Sequence, residues 1–375
     1  MNNLASIISF FAFCLALLIC FYAYIVCRKY IRGRSSQFRL TRLADNPVIS
    51  PLPFREWEMR GTFNPAAIQD DEGHVHLFYR AIGDDGISRI GHAESADGLH
   101  FEERSMYPVY EPEPGYGLPD AARASGPKVY NPAYYTSGGG WGGAEDPRAV
   151  RLEDRVYMTY TAFEGWDSVR MALTSIGLGD LKRGLWRWRL AALISPPGHV
   201  AKNWVLFPEK IHGKYAVLHG IAPRILIDYV DSLDALGSHG MYIRSQAPNG
   251  GRKDFWDNWV RGAGPPPLRT SIGWLLLYHA MDKNDPNKYK LGAMVLDLED
   301  PTKVLYRSPQ PILTPEMSYE NDGKPGVVYA SGAVIMRHAT EDALIVYYGG
   351  GDRHVCIAQT PLEPLLDWLV KNGRQ

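Results

Sequence analysis

The sequence predicts an all-β protein, a five-bladed β-propeller preceded by a single transmembrane helix. Its 375 residues include 37 glycines, 27 prolines, 22 tyrosines and 10 tryptophans, which is typical of a turn-rich β protein. A strand pattern rich in Tyr, Val and Leu recurs five times, and most copies follow a turn sequence. The five copies are HVHLFYRA (74–81), RVYMTYTAF (155–163), KYAVLHG (214–220), GWLLLYHA (273–280) and DALIVYYGG (342–350).

A short polar, proline-containing or small-residue step precedes each of these strands. The five steps are NPAAI (64–68), DPRAV (146–150), PEKI (208–211), PPPL (265–268) and SGAVI (331–335), with starts 82, 62, 57 and 66 residues apart. Units of several strands that recur at such a period are typical of propeller blades, and radial closure leaves few exposed sheet edges. A β-sandwich array is the alternative, but it does not explain why the step always precedes the same kind of strand. We therefore expect the steps to meet at a central channel.

The N-terminal part of the chain contains an apolar segment, residues 4–27, without a charged residue. It is longer than the ~20 residues that a helix needs to cross a bilayer, and no basic residue precedes it as in a signal peptide. Arg28, Lys29, Arg32 and Arg34 follow it. By the positive-inside rule, these charges predict that the domain after them faces the cytoplasm. The predicted organisation is a transmembrane helix at 4–27, a basic juxtamembrane linker at 28–37 and the propeller at 38–375.

Cysteine content and charge restrict the function further. Cys14, Cys20 and Cys27 lie within the apolar segment, so Cys356 alone remains in the predicted propeller, which fits a reducing compartment. The net charge of −1 provides no basic field for nucleic acid. The sequence has no P-loop, no GxGxxG motif and no Cys/His metal-ligand spacing, and it predicts neither a nucleotide cofactor nor a metal.

Polar side chains recur at the steps and at the ends of the five strands. They are Asn64, Arg80, Asp146, Arg148, Glu209, Lys210, His279 and Asp352, and no nucleophilic Ser or Cys motif accompanies them. Charged groups together with many aromatic rings suit a carbohydrate, whose hydroxyls accept and donate hydrogen bonds while its C–H faces pack on the rings. An Asp-Pro step taken alone is more often a turn. It is the recurrence at equivalent positions that favours a binding pocket.

Several segments resemble glycoside hydrolase family 130, which contains β-mannoside phosphorylases and some β-mannosidases on a five-bladed propeller. The resemblance runs in order from about residue 38 to the C-terminus, and the membrane anchor lies outside it. It is carried by segments such as FNPAAI (63–68), LFYRA (77–81), EDPR (145–148), GAGPPP (262–267), GWLLLYH (273–279) and VYYGGGD (346–352).

The resemblance implies a function and a set of site residues. The implied reaction is inverting phosphorolysis of β-linked manno-oligosaccharides to α-mannose 1-phosphate and a shortened acceptor, with inorganic phosphate as co-substrate and no cofactor. Asp146 matches the family's general acid, which is thought to act through the mannose 3-hydroxyl and so leaves space for the incoming anion. Asn64, Arg80 and Asp352 match sugar-binding residues, and His279 and Tyr289 match members of the phosphate site. We expect Arg148 to orient Asp146 or to contact substrate.

The sequence also departs from the family pattern. Gly220 stands where these phosphorylases commonly have arginine, and Val260 where they often have lysine. Loss of two charge-assisted bonds, each ~1.5–3 kcal/mol, could change the acceptor from phosphate to water. Nearby cations are Lys202, which we assign to phosphate, and Arg224, Arg261 and Arg269.

Two other functions remain open at this point. One is an inverting β-mannosidase or β-mannosyltransferase that uses the same pocket, with Glu209 or Asp352 as the base. The other is a non-catalytic sugar-binding propeller, which the EDPR acid argues against. A long segment before the acid, residues 110–143, is expected to cap the pocket or to form a surface insertion.

Overall fold

The computed structural model describes residues 17, 20–22, 37–122, 125–245, 250–337 and 339–373. Residues from Arg39 to the C-terminus form one compact unit. The predicted transmembrane helix at 4–27 and the linker at 28–37 lie almost wholly outside the described residues. Among the residues that are described, no helix is long and apolar enough to span a membrane.

The compact unit is built from antiparallel strands in five successive groups, which we call units one to five. A short strand, β1 (Thr41–Arg42), precedes them. Unit one contains β2 (Gly61–Gln69), β3 (Val75–Ile82) and β4 (Ile87–Ser95), and unit two contains β5 (Gly142–Leu152), β6 (Arg155–Phe163), β7 (Val169–Gly177) and β8 (Ala192–Leu193). Helix α1 (Leu178–Lys182) follows β7. Unit three contains β9 (Val205–Leu206), β10 (Tyr215–Gly220) and β11 (Leu226–Val230).

Units four and five complete the chain. Unit four contains β12 (Trp259–Ala263), β13 (Leu268–Thr270), β14 (Gly273–Asp282), β15 (Asp285–Leu296) and β16 (Val304–Arg307). Unit five contains β17 (Val328–Met336), β18 (Ala343–Gly350) and β19 (His354–Pro361), and helix α2 (Leu362–Asn372) follows it. The five recurrent segments of the sequence coincide with β3, β6, β10, β14 and β18. The prediction of an all-β fold with these strands is therefore confirmed.

Hydrogen bonding links some units but does not close the sheets. A short parallel pairing, Ile87 with Gly142 and Ser88 with Gly143, joins units one and two into a seven-stranded sheet. Strand β1 pairs with β19 of unit five, so the beginning of the compact unit is attached to its end. The other units are separate sheets. The arrangement as a five-bladed propeller therefore stays a prediction.

The hydrophobic core lies between neighbouring units. One buried cluster contains Phe78 of unit one and Met158 of unit two, and another joins Leu173 of unit two to Val217 of unit three. Further clusters join unit three to unit four and unit five to unit one. Full burial of a side chain such as Phe78 stabilises the fold by about 1.5–3 kcal/mol. Packing therefore joins the first and last units, together with hydrogen bonds such as the one from the Thr62 amide to the Arg353 backbone oxygen at 3.0 Å.

Each of the five units contains a break in strand register. Such β-bulges leave residues outside the regular ladder and re-aim their side chains. The breaks fall between Phe63 and Ala66, Glu145 and Arg148, Leu218 and Gly220, Val260 and Gly262, and Ala330 and Gly332. They release Asn64, Asp146, His219, Arg261 and Ser331, respectively, from regular pairing.

Candidate active site

A cavity of about 510 Å³ is lined by residues from all five units, including four of the bulge residues. Polar and charged residues on its wall are Asn64, Arg80, Thr136, Ser137, Asp146, Lys202, Asn203, His219, Ser245, Arg261, Tyr289, Lys324, Tyr329 and Asp352. Of the predicted site residues, Asn64, Arg80, Asp146, Lys202, Tyr289 and Asp352 are therefore brought to one cavity. The volume suits a small ligand such as a disaccharide, because ligand pockets span about 300–1,000 Å³.

Asp146 is held in the cavity wall by two donors from unit one. Its Oδ1 atom accepts hydrogen bonds from Asn64 Nδ2 at 2.8 Å and from Arg80 Nη1 at 3.2 Å. Asn64, Asp146 and Asp352 all have left-handed backbone angles, with φ of 48°, 50° and 50°. Asn and Asp adopt this region more readily than most residues. Asn64 and Asp146 at their bulges, and Asp352 in the turn after β18, can therefore adopt the backbone angles found at these cavity positions.

The carboxyl of Asp146 is ionised in this environment. Burial by itself would raise its pKa, but the charges of Arg80, Arg148 and Lys202, with the hydrogen bond from Asn64, outweigh burial and lower the pKa to about 2. Only 7% of the residue is exposed. A proton donor at this position must therefore obtain its proton when substrates bind.

Glu145, which the sequence analysis did not assign to the site, positions the cations around Asp146. It is fully buried, and its Oε1 atom accepts from Arg80 Nη2 at 2.8 Å. Its other oxygen accepts from Ser137 Oγ at 2.7 Å and lies 3.4 Å from Lys202 Nζ. The two adjacent carboxylates of EDPR thus both bind Arg80. Glu145 does so from behind the cavity wall, and Asp146 does so at the cavity surface. Adjacency to the acid was the one sequence signal that pointed to Glu145.

Arg148 lies behind the cavity wall, which agrees with the expected orienting role towards Asp146 and not with the alternative of direct substrate contact. Its Nη1 atom donates to the backbone oxygen of Asp146 at 2.7 Å. Its Nη2 atom donates to Asn203 Oδ1 at 2.9 Å and to Tyr329 Oη at 2.7 Å. Arg148 therefore connects the backbone of the acid to two other residues that line the cavity, Asn203 and Tyr329. The sequence analysis assigned neither Asn203 nor Tyr329 to the site, because their roles depend on contacts with Arg148 that are distant in sequence.

His279 also lies behind the wall, so direct phosphate contact is not what the structure shows. The residue is fully buried, and its ring stacks on Tyr329 with centroids 4.2 Å apart. Its Nε2 atom accepts a hydrogen bond from the Ala330 backbone amide at 2.9 Å. Burial lowers the pKa of His279 to about 3, so the ring is neutral. Its predicted partner Tyr289 does line the cavity and accepts from Arg261 Nε at 2.9 Å.

Only some of the predicted cations reach the cavity. Lys202 and Arg261 line it, together with the uncharged positions Gly220 and Val260. Arg269 forms an ion pair with Glu209 on the surface, and Lys210 lies 3.6 Å from Glu153. Arg224 is exposed. The prediction that Glu209 and Lys210 converge with the other steps is therefore wrong, because PEKI lies between strands rather than at a bulge.

The segment before the acid reaches the cavity, as the sequence analysis expected of a cap. Thr136, Ser137 and Gly138 line the wall, and Arg80 Nη2 donates to the Ser137 backbone oxygen at 2.9 Å. From the other side, Lys324 Nζ lies 3.5 Å from Asp352 Oδ2 and 3.4 Å from the Thr136 backbone oxygen. Lys324 therefore connects this segment to unit five at the edge of the cavity.

Comparison with known proteins identifies the family. The glycoside hydrolase family 130 model, described as beta-1,4-mannooligosaccharide phosphorylase, matches residues 39–371. A 1,2-beta-oligomannan phosphorylase from Thermoanaerobacter sp. (strain X514) is 38% identical over 85% of this chain and 96% of its own. A beta-1,2-mannobiose phosphorylase from the same organism is 35% identical over 86% and 97%. The solved structure of the Listeria innocua beta-1,2-mannobiose phosphorylase in complex with beta-1,2-mannobiose matches with a TM-score of 0.65, 25% identity and coverage of 88% and 99%. The chain belongs to glycoside hydrolase family 130 and is an enzyme that acts on glycosides.

Proposed function

We propose that the enzyme cleaves β-1,2-linked manno-oligosaccharides by inverting phosphorolysis, releasing α-mannose 1-phosphate and a shortened acceptor. The observation that carries this proposal is a buried carboxylate, Asp146, in the same cavity as two cations, Lys202 and Arg261. An acid beside an anion site is the arrangement that phosphorolysis requires. The β-1,2 linkage follows the names of the two similar Thermoanaerobacter enzymes.

The sugar that is transferred would occupy the region between units one, two and five. Asn64 Oδ1 is a buried acceptor without a partner among the described residues, and it is available to a sugar hydroxyl. Asp352 also lines the cavity, and its Oδ2 atom lies 3.5 Å from Lys324 Nζ. Asp146, which is ionised in the free enzyme, takes up a proton with phosphate or from solvent and passes it through a hydroxyl of the bound sugar to the glycosidic oxygen, and the glycosidic bond breaks as phosphate attacks the anomeric carbon.

Phosphate would be bound by Lys202, Arg261 and Tyr289. Arg261 Nε is occupied by Tyr289 Oη, and the guanidinium lies over the Trp259 ring at 4.7 Å, so one face of the group is held by the protein. Lys202 Nζ lies 5.0 Å from the Trp166 ring and 3.4 Å from Glu145. Guanidinium and ammonium groups form the charge-assisted bonds that bind phosphate without a metal.

Hydrolysis is the second candidate, and one observation favours it. Gly220 and Val260 place uncharged groups on the cavity wall where the resemblance implies cations. With fewer cations, water would replace phosphate as the acceptor. The carboxylate that would activate water is Asp352.

One experiment separates these reactions. The enzyme is incubated with β-1,2-mannobiose with and without phosphate, and mannose 1-phosphate and free mannose are quantified. Phosphorolysis predicts mannose 1-phosphate in the α configuration and no turnover without phosphate. Release of free mannose at the same rate in both conditions would refute it. Lys202→Ala and Arg261→Ala should raise the KM for phosphate, whereas Arg269→Ala, a matched loss of a cation outside the cavity, should not.

We also propose, from the sequence alone, that the five units are blades of a propeller and that residues 4–27 anchor it to the cytoplasmic face of a membrane. The full-length chain should then sediment with membranes and resist extraction by high salt. Protease outside intact cells should not digest the catalytic unit. Recovery of most of the protein in the soluble fraction, or digestion from outside, would contradict the anchor or its orientation.

A further inference from the structure

A second cluster of polar side chains lies at the β2–β3 hairpin, and none of its members lines the cavity of Asp146. Within the hairpin, Ile68 pairs with His76, and the Asp70 backbone amide donates to the His74 oxygen at 2.9 Å. Paired residues of antiparallel strands share one face of the sheet. The side chains of Asp70, His74 and His76 therefore project to the same side, together with Glu94 of β4, which pairs with His76.

The cluster offers several metal-ligand atoms close together. One ligand atom from each of Asp70, Glu72 and His74 lies within 4.8 Å of the other two. Asp70 Oδ1 already accepts from the backbone amides of Glu72 and His74, both at 2.9 Å. Asp70 Oδ2, in contrast, is buried and has no hydrogen-bond partner among the described residues. This oxygen is free to bind a ligand.

His76 provides an independent indication of a bound cation. The residue is only 1% exposed, and its Nε2 atom has no hydrogen-bond partner among the described residues. This nitrogen lies 3.6 Å from Asp70 Oδ2, a distance too long for a hydrogen bond, and the two groups form an ion pair only when His76 is protonated. Leaving a buried polar group unpaired is costly. A cation between them would satisfy both.

The other ring nitrogen of each histidine is already engaged. His74 Nδ1 lies 2.8 Å from Glu94 Oε1, and His76 Nδ1 lies 3.1 Å from His92 Nε2. Metal-ligating histidines usually donate their second nitrogen to a carboxylate or another acceptor in this way, which orients the ring and selects the tautomer. Both Nε2 atoms are thereby left for a metal.

We propose that Asp70, Glu72 and His74 bind a divalent transition metal together with His76, which lies outside that group of three but faces Asp70, with Zn²⁺ the best match to two imidazoles and two carboxylates. Zn²⁺ prefers four such ligands in tetrahedral geometry. The carboxylate of Glu72 forms an ion pair with Lys182 of α1, so metal binding exchanges this surface pair for a metal bond. The site joins the hairpin turn to β3 and stabilises unit one. It differs from the Cys/His spacings of common zinc motifs, which is why the sequence analysis predicted no metal.

The test measures Zn²⁺ binding to the full-length chain after chelator treatment and dialysis. We expect one Zn²⁺ per chain at this site by elemental analysis and a rise in Tm on addition of Zn²⁺. His74→Ala and Asp70→Asn should each abolish the rise and weaken binding at least about 10–100-fold, because loss of an outer partner alone has that effect. His100→Ala is the matched control, since His100 is an exposed histidine that pairs with Asp97 in another turn.

The two variants keep the result interpretable if one of them folds poorly. His74 lies at the surface, so its substitution should leave the free energy of unfolding of the metal-free protein nearly unchanged. If the wild-type chain binds no Zn²⁺, or if Zn²⁺ binds to wild type, His74→Ala and Asp70→Asn with equal affinity, the proposal is overturned. The readouts do not depend on phosphorolysis, so failure of one proposal leaves the other testable.

Discussion

Replacing Asp146 by asparagine removes the proposed acid while leaving its surroundings in place. The amide has nearly the same shape, and its oxygen can still accept from Asn64 Nδ2 and Arg80 Nη1, now 2.8 Å and 3.2 Å from the carboxylate. Arg80 also keeps its buried partner Glu145 at 2.8 Å. We therefore expect Asp146→Asn to fold and to bind the sugar.

The size of the effect follows from chemistry and from the pKa. General acid catalysis contributes ~10²–10⁴-fold, so turnover should fall by that factor.

The substitution should also change the stability of the protein, because the pKa of Asp146 decreases from 3.8 to about 2 on folding. At 1.36 kcal/mol per unit, ionised Asp146 stabilises the native state by on the order of 2 kcal/mol. Because the pKa is lowered, this contribution is complete above about pH 4 and is lost as the pH falls towards 2.

The assay compares mannose 1-phosphate release from β-1,2-mannobiose and from an aryl β-mannoside with a good leaving group. The loss in Asp146→Asn should be much smaller for the aryl substrate, since its leaving group needs little protonation. Urea unfolding between pH 5 and pH 2 should show that wild type loses more stability than the variant. Asp97→Asn is the control, because Asp97 is an exposed carboxylate whose pKa is also lowered, in part by His100, outside the cavity. Near-normal turnover of mannobiose by Asp146→Asn would refute the assignment.

Two further predictions concern residues that support the site. Gly349→Ala should raise the KM for mannoside, because the added Cβ would lie 2.1 Å from Asn64 Oδ1. Gly177→Ala should not, because its added Cβ would lie 3.8 Å from Asp180 Oδ2, and equal kinetics of the two variants would contradict this. His279→Ala should lower kcat and Tm without a selective rise in the KM for phosphate, because the ring supports Tyr329 rather than facing the cavity. A rise in the KM for phosphate alone would instead indicate that His279 contacts phosphate directly.

Local sequence patterns predicted most strands because each strand carries its own signal. The segments that became β3, β6, β10, β14 and β18 combine apolar and aromatic residues with a preceding turn, and they form the buried second strands or their equivalents in the five units. The Asn-Pro and Asp-Pro steps were also informative. Asn64 and Asp146 lie at equivalent bulges, where a polar residue before proline leaves the ladder and lines the cavity.

The rest of the site depends on tertiary contacts that local patterns do not contain. Arg80 pairs with Glu145 across 65 positions of sequence, and Tyr329 accepts from Arg148 across 181. The PEKI step resembled the other steps, yet Glu209 lies on the surface because no register break directs it inward. His279 was predicted at the cavity from its motif, but it stacks on Tyr329, and it is Tyr329 that lines the cavity. Register and layer order, rather than residue type, decided these outcomes.

The low pKa of Asp146 determines how the reaction should depend on pH. With a pKa of about 2, Asp146 carries no proton near neutrality in the enzyme without substrate. The proton for the leaving group must therefore arrive with the phosphate monoanion, or it must come from solvent when the phosphate dianion binds. In both routes the complex of enzyme, mannoside and phosphate contains the same number of protons, so the two routes predict the same pH dependence. Since kcat/KM reports the ionisation of the free reactants, kcat/KM for total phosphate should be level at mildly acidic pH and fall about tenfold per unit above the second pKa of phosphate. An aryl mannoside, which needs no proton, should lose this dependence. A profile for mannobiose that stays level through that pKa would show that Asp146 does not deliver a proton taken up with phosphate.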